Sequence, residues 1–487
     1  MDHHRPVLIA FLLCLAAAGP RGRADAVLEW NDLMLDGIRV DTTGPTLATR
    51  NLAILAVAMH DAVNSIVRTH QPYQFLPEPP AEAGPEAAAI GAAEEIMKAL
   101  YPGLAARADE LYAVGVASLP ATAATTNGLA FGADIGRRTL ASREADGANT
   151  DVPYIPSNAP GQWRRTPPFF RPPLTPQWRY VKPFAIPDKE PFLPPPPPAL
   201  DSPEYAADLN EVKAIGGKGS SVRTAYQGET AVFWSDFSYT AMPPGHWNEI
   251  AATIARTRTN TLAENARLFA LLGLAQGDAA IVCWEAKFRY NFWRPVTAIQ
   301  RAAEDGNPGT EPDASWDHFL VSPPFPDHTS GHSTFSAASA EVLRQFYGAD
   351  EITFTVASDS LPGVFRTYTN LAACAEEVGM SRIYGGIHFQ SANREGKTSG
   401  RKIAQYVLAN HLLPNDALPR LACEGATPAG LRLRLHGHAG RGLVLETTGD
   451  FAGWTPLATN AVAPGGVALT VPAGNAGGFF RVREIAP

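Results

Sequence analysis

Between Asp151 and Tyr205 the chain can form neither a continuous helix nor a continuous sheet. Prolines recur throughout and close the stretch as the run Pro194–Pro198, and each one removes a backbone donor and fixes φ. The same stretch holds Trp163, Phe169, Phe170 and Trp178, too much aromatic surface for simple disorder. It is expected to be an ordered wrap over a helical surface, followed by a short polyproline spacer. Arg164 and Arg165 within it read as a solvated pair.

What surrounds the wrap is helical by pattern. Leu47–Val67 repeats apolar residues at helical spacing (Leu52, Ile54, Leu55, Val57, Met59, Ala62, Val63, Ile66). Further helices fit Glu86–Tyr101, Ala105–Ser118 and Thr125–Arg143. After the wrap they fit Ala206–Ile215, Trp247–Arg256, Ala263–Arg289, Ser333–Phe346, Asn370–Tyr384 and Ser391–His411. The fold class is therefore all-α, with two helical bundles. Past Cys423 the period changes to two. Leu431–Leu435, Leu443–Thr447, Trp454–Leu457, Val467–Val471 and Phe479–Val482 read as strands of a small antiparallel β domain. The expected division is an N-terminal bundle over 27–150, the wrap over 151–205, a second bundle over 206–422 and the β domain over 425–487.

Residues 1–26 read as an export signal. Arg5 ends a short basic region, Val7–Ala18 is apolar, and Ala24-Asp25-Ala26 precedes a cut ahead of Val27. A secreted or periplasmic protein is expected. No later segment looks apolar for long enough to span a bilayer. The net charge of −8 argues against a nucleic-acid partner. Cys14 falls in the signal, and Cys283, Cys374 and Cys423 cannot form a full disulfide framework.

The chemistry gathers in the second bundle. Pro323–Ser336 is a proline loop running into a small-residue helix at Ser330-Gly331-His332. A helix start of this kind offers free N–H groups and a positive dipole end to an anion. Lys287 and Arg294 lie seven apart in an earlier segment and share a helix face if that helix persists. Arg382 precedes His388 by six, with Gly385-Gly386 between them. Three cations, the Ser330 hydroxyl and the Gly331 N–H can surround an oxyanion, with a histidine on each side. His60-Asp61, in the first bundle, reads as a helix-packing pair.

In this order, Lys-x6-Arg, Ser-Gly-His and Arg-x5-His resemble the superfamily of vanadium-dependent haloperoxidases and type-2 phosphatidic-acid phosphatases, and the wrap resembles its bacterial secreted group. The resemblance implies two helical bundles and a vanadate cofactor, whose site phosphate can also occupy. It implies that His388 binds vanadium. Lys287, Arg294 and Arg382 would neutralise the oxygens, with Ser330 and Gly331 hydrogen-bonding them. His332 would be the acid–base residue, Lys287 would polarise bound peroxide, and Asp236 would orient the cations from behind. The family often carries an acid four residues after the vanadium-binding histidine. Ala392 stands there instead. His328 and Thr329 also depart from the usual residues before Ser-Gly-His.

The activity implied is oxidation of halide by hydrogen peroxide to hypohalous acid, which halogenates small organic substrates. Trp284 and Phe325 stand where an aromatic pair marks chloride-oxidising members, so bromide and also chloride are expected. Two alternatives stay open: a secreted acid phosphatase acting through a phosphohistidine at His388, and a non-enzymatic secreted binding protein using its β domain.

Overall fold

The computed structural model describes residues 25–415, 419–437, 442–451, 453–462, 467–472 and 478–485. The expected export signal therefore lies outside the described residues except for Asp25 and Ala26. Those two residues are built into the first helix. Asp25 caps it, accepting from Leu28 N at 3.1 Å and from Asn265 Nδ2 at 2.6 Å, and Ala26 is fully buried.

Among the described residues five α-helices precede the wrap: α1 (Ala26–Val40), α2 (Pro45–Val67), α3 (Pro85–Leu100), α4 (Ala105–Ala117) and α5 (Ala123–Ser142). Eight follow it: α6 (Pro203–Ile215), α7 (Ala225–Phe233), α8 (Met242–Arg258), α9 (Leu262–Tyr290), α10 (Pro295–Gln300), α11 (Gly331–Tyr347), α12 (Leu371–Tyr384) and α13 (Gln390–Asn410). A short hairpin, β1 (Phe354–Ala357) with β2 (Phe365–Tyr368), joins α11 to α12. Helices α1, α7 and α10 and this hairpin were not expected from the sequence pattern.

Helices α2 and α9 pack on each other and are buried along nearly their whole lengths. One continuous apolar cluster runs from α1 to α13 around them. Thr261 and Glu264 start α9 with a reciprocal capping box, worth about 1 kcal/mol. By length and composition α9 could cross a bilayer, contrary to expectation, but 94% of its apolar window is buried inside the protein. It also carries buried Gln276, Asp278, Glu285 and Lys287, each with protein partners. Against α9 lies α11, and α13 closes on α11. At Gly400 an added Cβ would stand 2.1 Å from Thr334 O.

The wrap is ordered and clamped to α9. Asp278 accepts from three successive backbone N–H groups, Phe184 at 2.6 Å and Ala185 and Ile186 at 2.8 Å each. Two turns on, Glu285 accepts from Arg179 at 2.8 Å and Lys189 at 2.9 Å. Trp163 and Trp178 are buried. The polyproline run is docked as well: Tyr290 donates to Pro194 O at 2.7 Å, and His328 Nε2 lies 3.0 Å from Pro195 O. His60-Asp61 is structural, since Asp61 accepts from the backbone N–H groups of Tyr73, Gln74 and Phe75.

The C-terminal part is antiparallel throughout. One sheet holds β3 (Arg420–Thr427), β4 (Gly430–His436) and β7 (Val467–Pro472) in the order β3-β4-β7. The other holds β5 (Gly442–Thr448), β6 (Thr455–Ala461) and β8 (Phe479–Glu484) in the order β6-β5-β8. Leu433, Leu435, Leu443, Leu445, Val462 and Val471 form their shared core.

Candidate active site

A cavity of about 350 Å³ opens at the N-terminus of α11. Gly331, His332, Arg382, His388, Asp236, Trp284 and Phe325 line it. Residues far apart in sequence thus converge, and the local chain explains how. Ser330 caps α11, its Oγ accepting from Ser333 N at 3.3 Å. The Gly331 N–H, at the first helical position, has no acceptor within the helix. At Gly386, φ is +75° and an added Cβ would stand 2.1 Å from Gly216 O. Only glycine fits that crossing, and it turns the chain from Arg382 to His388.

Lys287 and Arg294 do not share a helix face. Helix α9 ends at Tyr290, Asn291 takes a left-handed φ of 51°, and Arg294 is the N-cap of α10. Pro295 is the reason, since the residue before a proline is driven out of helical geometry. Both side chains still reach the site from behind the cavity wall, each fully buried. Lys287 Nζ spends its donors on the loop, bonding Pro326 O and Asp327 O at 3.0 Å each and Thr329 O. It also lies 4.8 Å from the Phe325 ring centre. Burial, chiefly, lowers its pKa to about 7. Arg294 donates to Phe325 O at 2.8 Å and Ile387 O at 2.7 Å, and its Nη1 lies 3.1 Å from His388 Nε2.

Several polar groups here are left unspent. Arg294 Nη2, Arg382 Nε, His332 Nε2 and Asp236 Oδ2 are buried with no hydrogen-bond partner among the described residues. Arg382 uses Nη1 on Trp234 O at 2.8 Å. Burial depresses the pKa of Arg382 to about 9 and of Arg294 to about 10. Burial and then Arg382 hold His332 well below the usual imidazole value. Burial and the nearby cations do the same to His388. Unspent buried donors are costly. A tetrahedral or bipyramidal oxyanion would meet them, so the donor set fits vanadate or phosphate.

Asp236 lies between His246 and His332, and it is not a helix cap: φ is +45°, and α8 is capped by Ala241. Its Oδ1 lies 3.1 Å from His246 Nδ1, and its Oδ2 is 3.9 Å from His332 Nε2. Burial opposes a charge on His246, yet Asp236 outweighs it and raises that pKa to about 9. His246 was not singled out from the sequence, where a lone histidine in an apolar helix carries no signal. Asp327 was also missed. Its Oδ1 lies 2.9 Å from His388 Nδ1 and 3.8 Å from Arg294 Nη1. Trp284 and Phe325 pack at 5.0 Å between ring centres on the cavity wall. The wrap seals this side, with Leu174 N bonded to Pro324 O at 2.9 Å and Trp284 Nε1 to Leu174 O at 3.3 Å.

The family model of the VCPO second helical-bundle domain matches residues 267–413. The chain is 27% identical to the vanadium chloroperoxidase of Curvularia inaequalis, with 75% of each covered. Its fold matches that of a bacterial vanadium-dependent iodoperoxidase with a TM-score of 0.69 at 28% identity, covering 80% of this chain and 96% of that one. It also matches a holo-type bacterial vanadium-dependent chloroperoxidase with a TM-score of 0.60, covering 75% and 92%; at 19% identity this speaks for the fold alone. With its helical architecture and its convergent histidines and cations, the chain has the vanadium haloperoxidase fold, carries that family's second helical-bundle domain over residues 267–413 and is similar to vanadium haloperoxidases over three quarters of its length.

Proposed function

We propose that the protein oxidises bromide, and also chloride, with hydrogen peroxide to hypohalous acid, which halogenates small organic substrates. The observation that carries this reading is the set of unspent buried donors gathered around two neutral histidines at one cavity. Vanadate, when bound there, would supply Lewis-acid activation of peroxide. Arg294, Arg382, Ser330 and the Gly331 N–H would hold its oxygens, with His388 on the metal.

The chain's own residues do the remaining work. His332 is kept neutral by burial and by Arg382, so it can accept a proton from peroxide entering the cavity. Asp236 faces both His332 and the protonated His246, which sets the local charge. Lys287 fixes the loop through three carbonyls, and polarising a bound oxygen would require it to release one. Trp284 and Phe325 give the cavity wall an aromatic face. That pair supports chloride use alongside bromide. The named relatives span chloride and iodide, so they do not select the halide. We also propose export, supported by the residue pattern ahead of α1, with the cut placed before Asp25 so that the cap of α1 is kept.

The test is direct. The purified chain is given orthovanadate and assayed for bromide- and chloride-dependent halogenation with peroxide, and in parallel for hydrolysis of a simple phosphate ester. Halogenation that needs vanadate and is suppressed by phosphate is expected. Rapid ester hydrolysis without halogenation would make the protein a phosphatase instead.

A further inference from the structure

Ala392 leaves His388 without the acid expected four residues on, and the fold brings another carboxylate to the ring. Asp327 is fully buried, with Oδ1 2.9 Å from His388 Nδ1. Its backbone is held on both sides: its N–H donates to Phe292 O at 2.9 Å, and its carbonyl accepts from Lys287 Nζ at 3.0 Å. The side chain is therefore placed by the loop. On the other edge of the ring, Arg294 Nη1 lies 3.1 Å from His388 Nε2. A guanidinium can only donate, so this contact agrees with a ring proton on Nδ1, facing Asp327. The N–H is not aligned on the oxygen, Nδ1 closes no hydrogen bond elsewhere among the described residues, and the carboxylate's other near donor is the Phe389 backbone N–H. A small ring rotation completes the contact.

We propose that Asp327 is the positioning residue of this site, holding His388 in the Nδ1–H tautomer so that the Nε2 lone pair is free for the bound group. The loop before α11 thus supplies what position 392 does not. The consequence for oxyanion binding rests on the function proposed above, but the tautomer is a property of the protein alone. A histidine that ligates a metal has its tautomer and orientation fixed by the partner of its other nitrogen.

The experiment uses the full chain labelled with ¹⁵N-histidine and free of vanadate, with His388 assigned by its loss in His388→Gln. Nitrogen shifts are expected to show a protonated Nδ1 and a bare Nε2. Asp327→Ala should mix or reverse the tautomers and weaken orthovanadate binding about 10- to 100-fold. Asp327→Asn keeps an acceptor and should restore the tautomer and most of the affinity. Asp327→Val serves if the alanine variant does not fold. An unchanged tautomer in the alanine or valine variant would overturn the proposal. So would equal loss of orthovanadate binding in the alanine and asparagine variants with the tautomer intact, because charge alone would then be at work. A tautomer that shifts in a wild-type background that binds no orthovanadate would uphold the positioning role and remove the proposed function instead.

Discussion

Helix α9 buries charge in two regions that differ in one respect. On the side facing the wrap, the Asp278 carboxylate meets three backbone N–H groups and Glu285 meets Arg179 and Lys189. Burial raises Asp278 to about 6, while those N–H groups pull it back down. Near the C-terminal end of the helix, Arg294 Nη2 and Arg382 Nε have no partner among the described residues. On the wrap side the two carboxylates are met, although Arg179 Nε, Trp163 Nε1 and Trp178 Nε1 stay unbonded there, while at the cavity guanidinium and imidazole nitrogens stay unmet around an open space. A buried carboxylate whose oxygens are met holds a structure together, and buried cations left unmet beside a cavity are shaped for an anion.

The contrast can be broken at either region. The largest effect is expected from Asp278→Ala, which strands three buried N–H groups and should cost about 3–5 kcal/mol in urea unfolding. His332→Ala should cut halogenation at least about 100-fold, or about 2.7 kcal/mol, with orthovanadate binding retained. Full turnover in that variant would remove His332 from the chemistry. His246 gives a pH test. Its folded pKa of about 9 lies above the ordinary value of 6.5, so its pairing with Asp236 stabilises fully below about pH 6.5. That stability, on the order of 2–3 kcal/mol, is lost as pH rises through about 9, and His246→Gln should flatten the dependence in thermal melts. Phe325→Leu should lower chloride turnover relative to bromide several-fold, about 1 kcal/mol, by removing the ring that lies over Lys287 and Arg294. The smallest change is expected in the stability of Arg382→Met without an anion. Replacing an under-paired buried cation by an apolar chain should leave the melting temperature equal or higher.

Much of this was legible in the sequence, for reasons that differ by element. The long helices declared themselves because one apolar face repeats over many turns, as in α2 and α9. Short α7 and α10 and the β1–β2 hairpin carry too few turns for a period to register. Helix α1 adjoins the apolar N-terminal region, and its first residues were read as part of the export signal. The histidines and cations of the site stood out because each is an unusual residue for a buried helix. Lys287 and Arg294 do not meet through a shared helix face, because Pro295 ends that possibility. Asp327 could not be assigned, since its partner lies 61 positions later and only the fold joins them. His246 was hidden in the same way, because its meaning comes entirely from Asp236.

Titration of orthovanadate into the purified protein tests most directly whether the unspent donors are the seat of an oxyanion. One equivalent should bind to wild type with uptake of protons, because the depressed cations at the site are restored by the anion, and it should raise the melting temperature. Arg382→Met, folded and no less stable, should lose that binding. Wild type that takes up no orthovanadate, or an Arg382→Met protein that binds it equally well, would contradict the account.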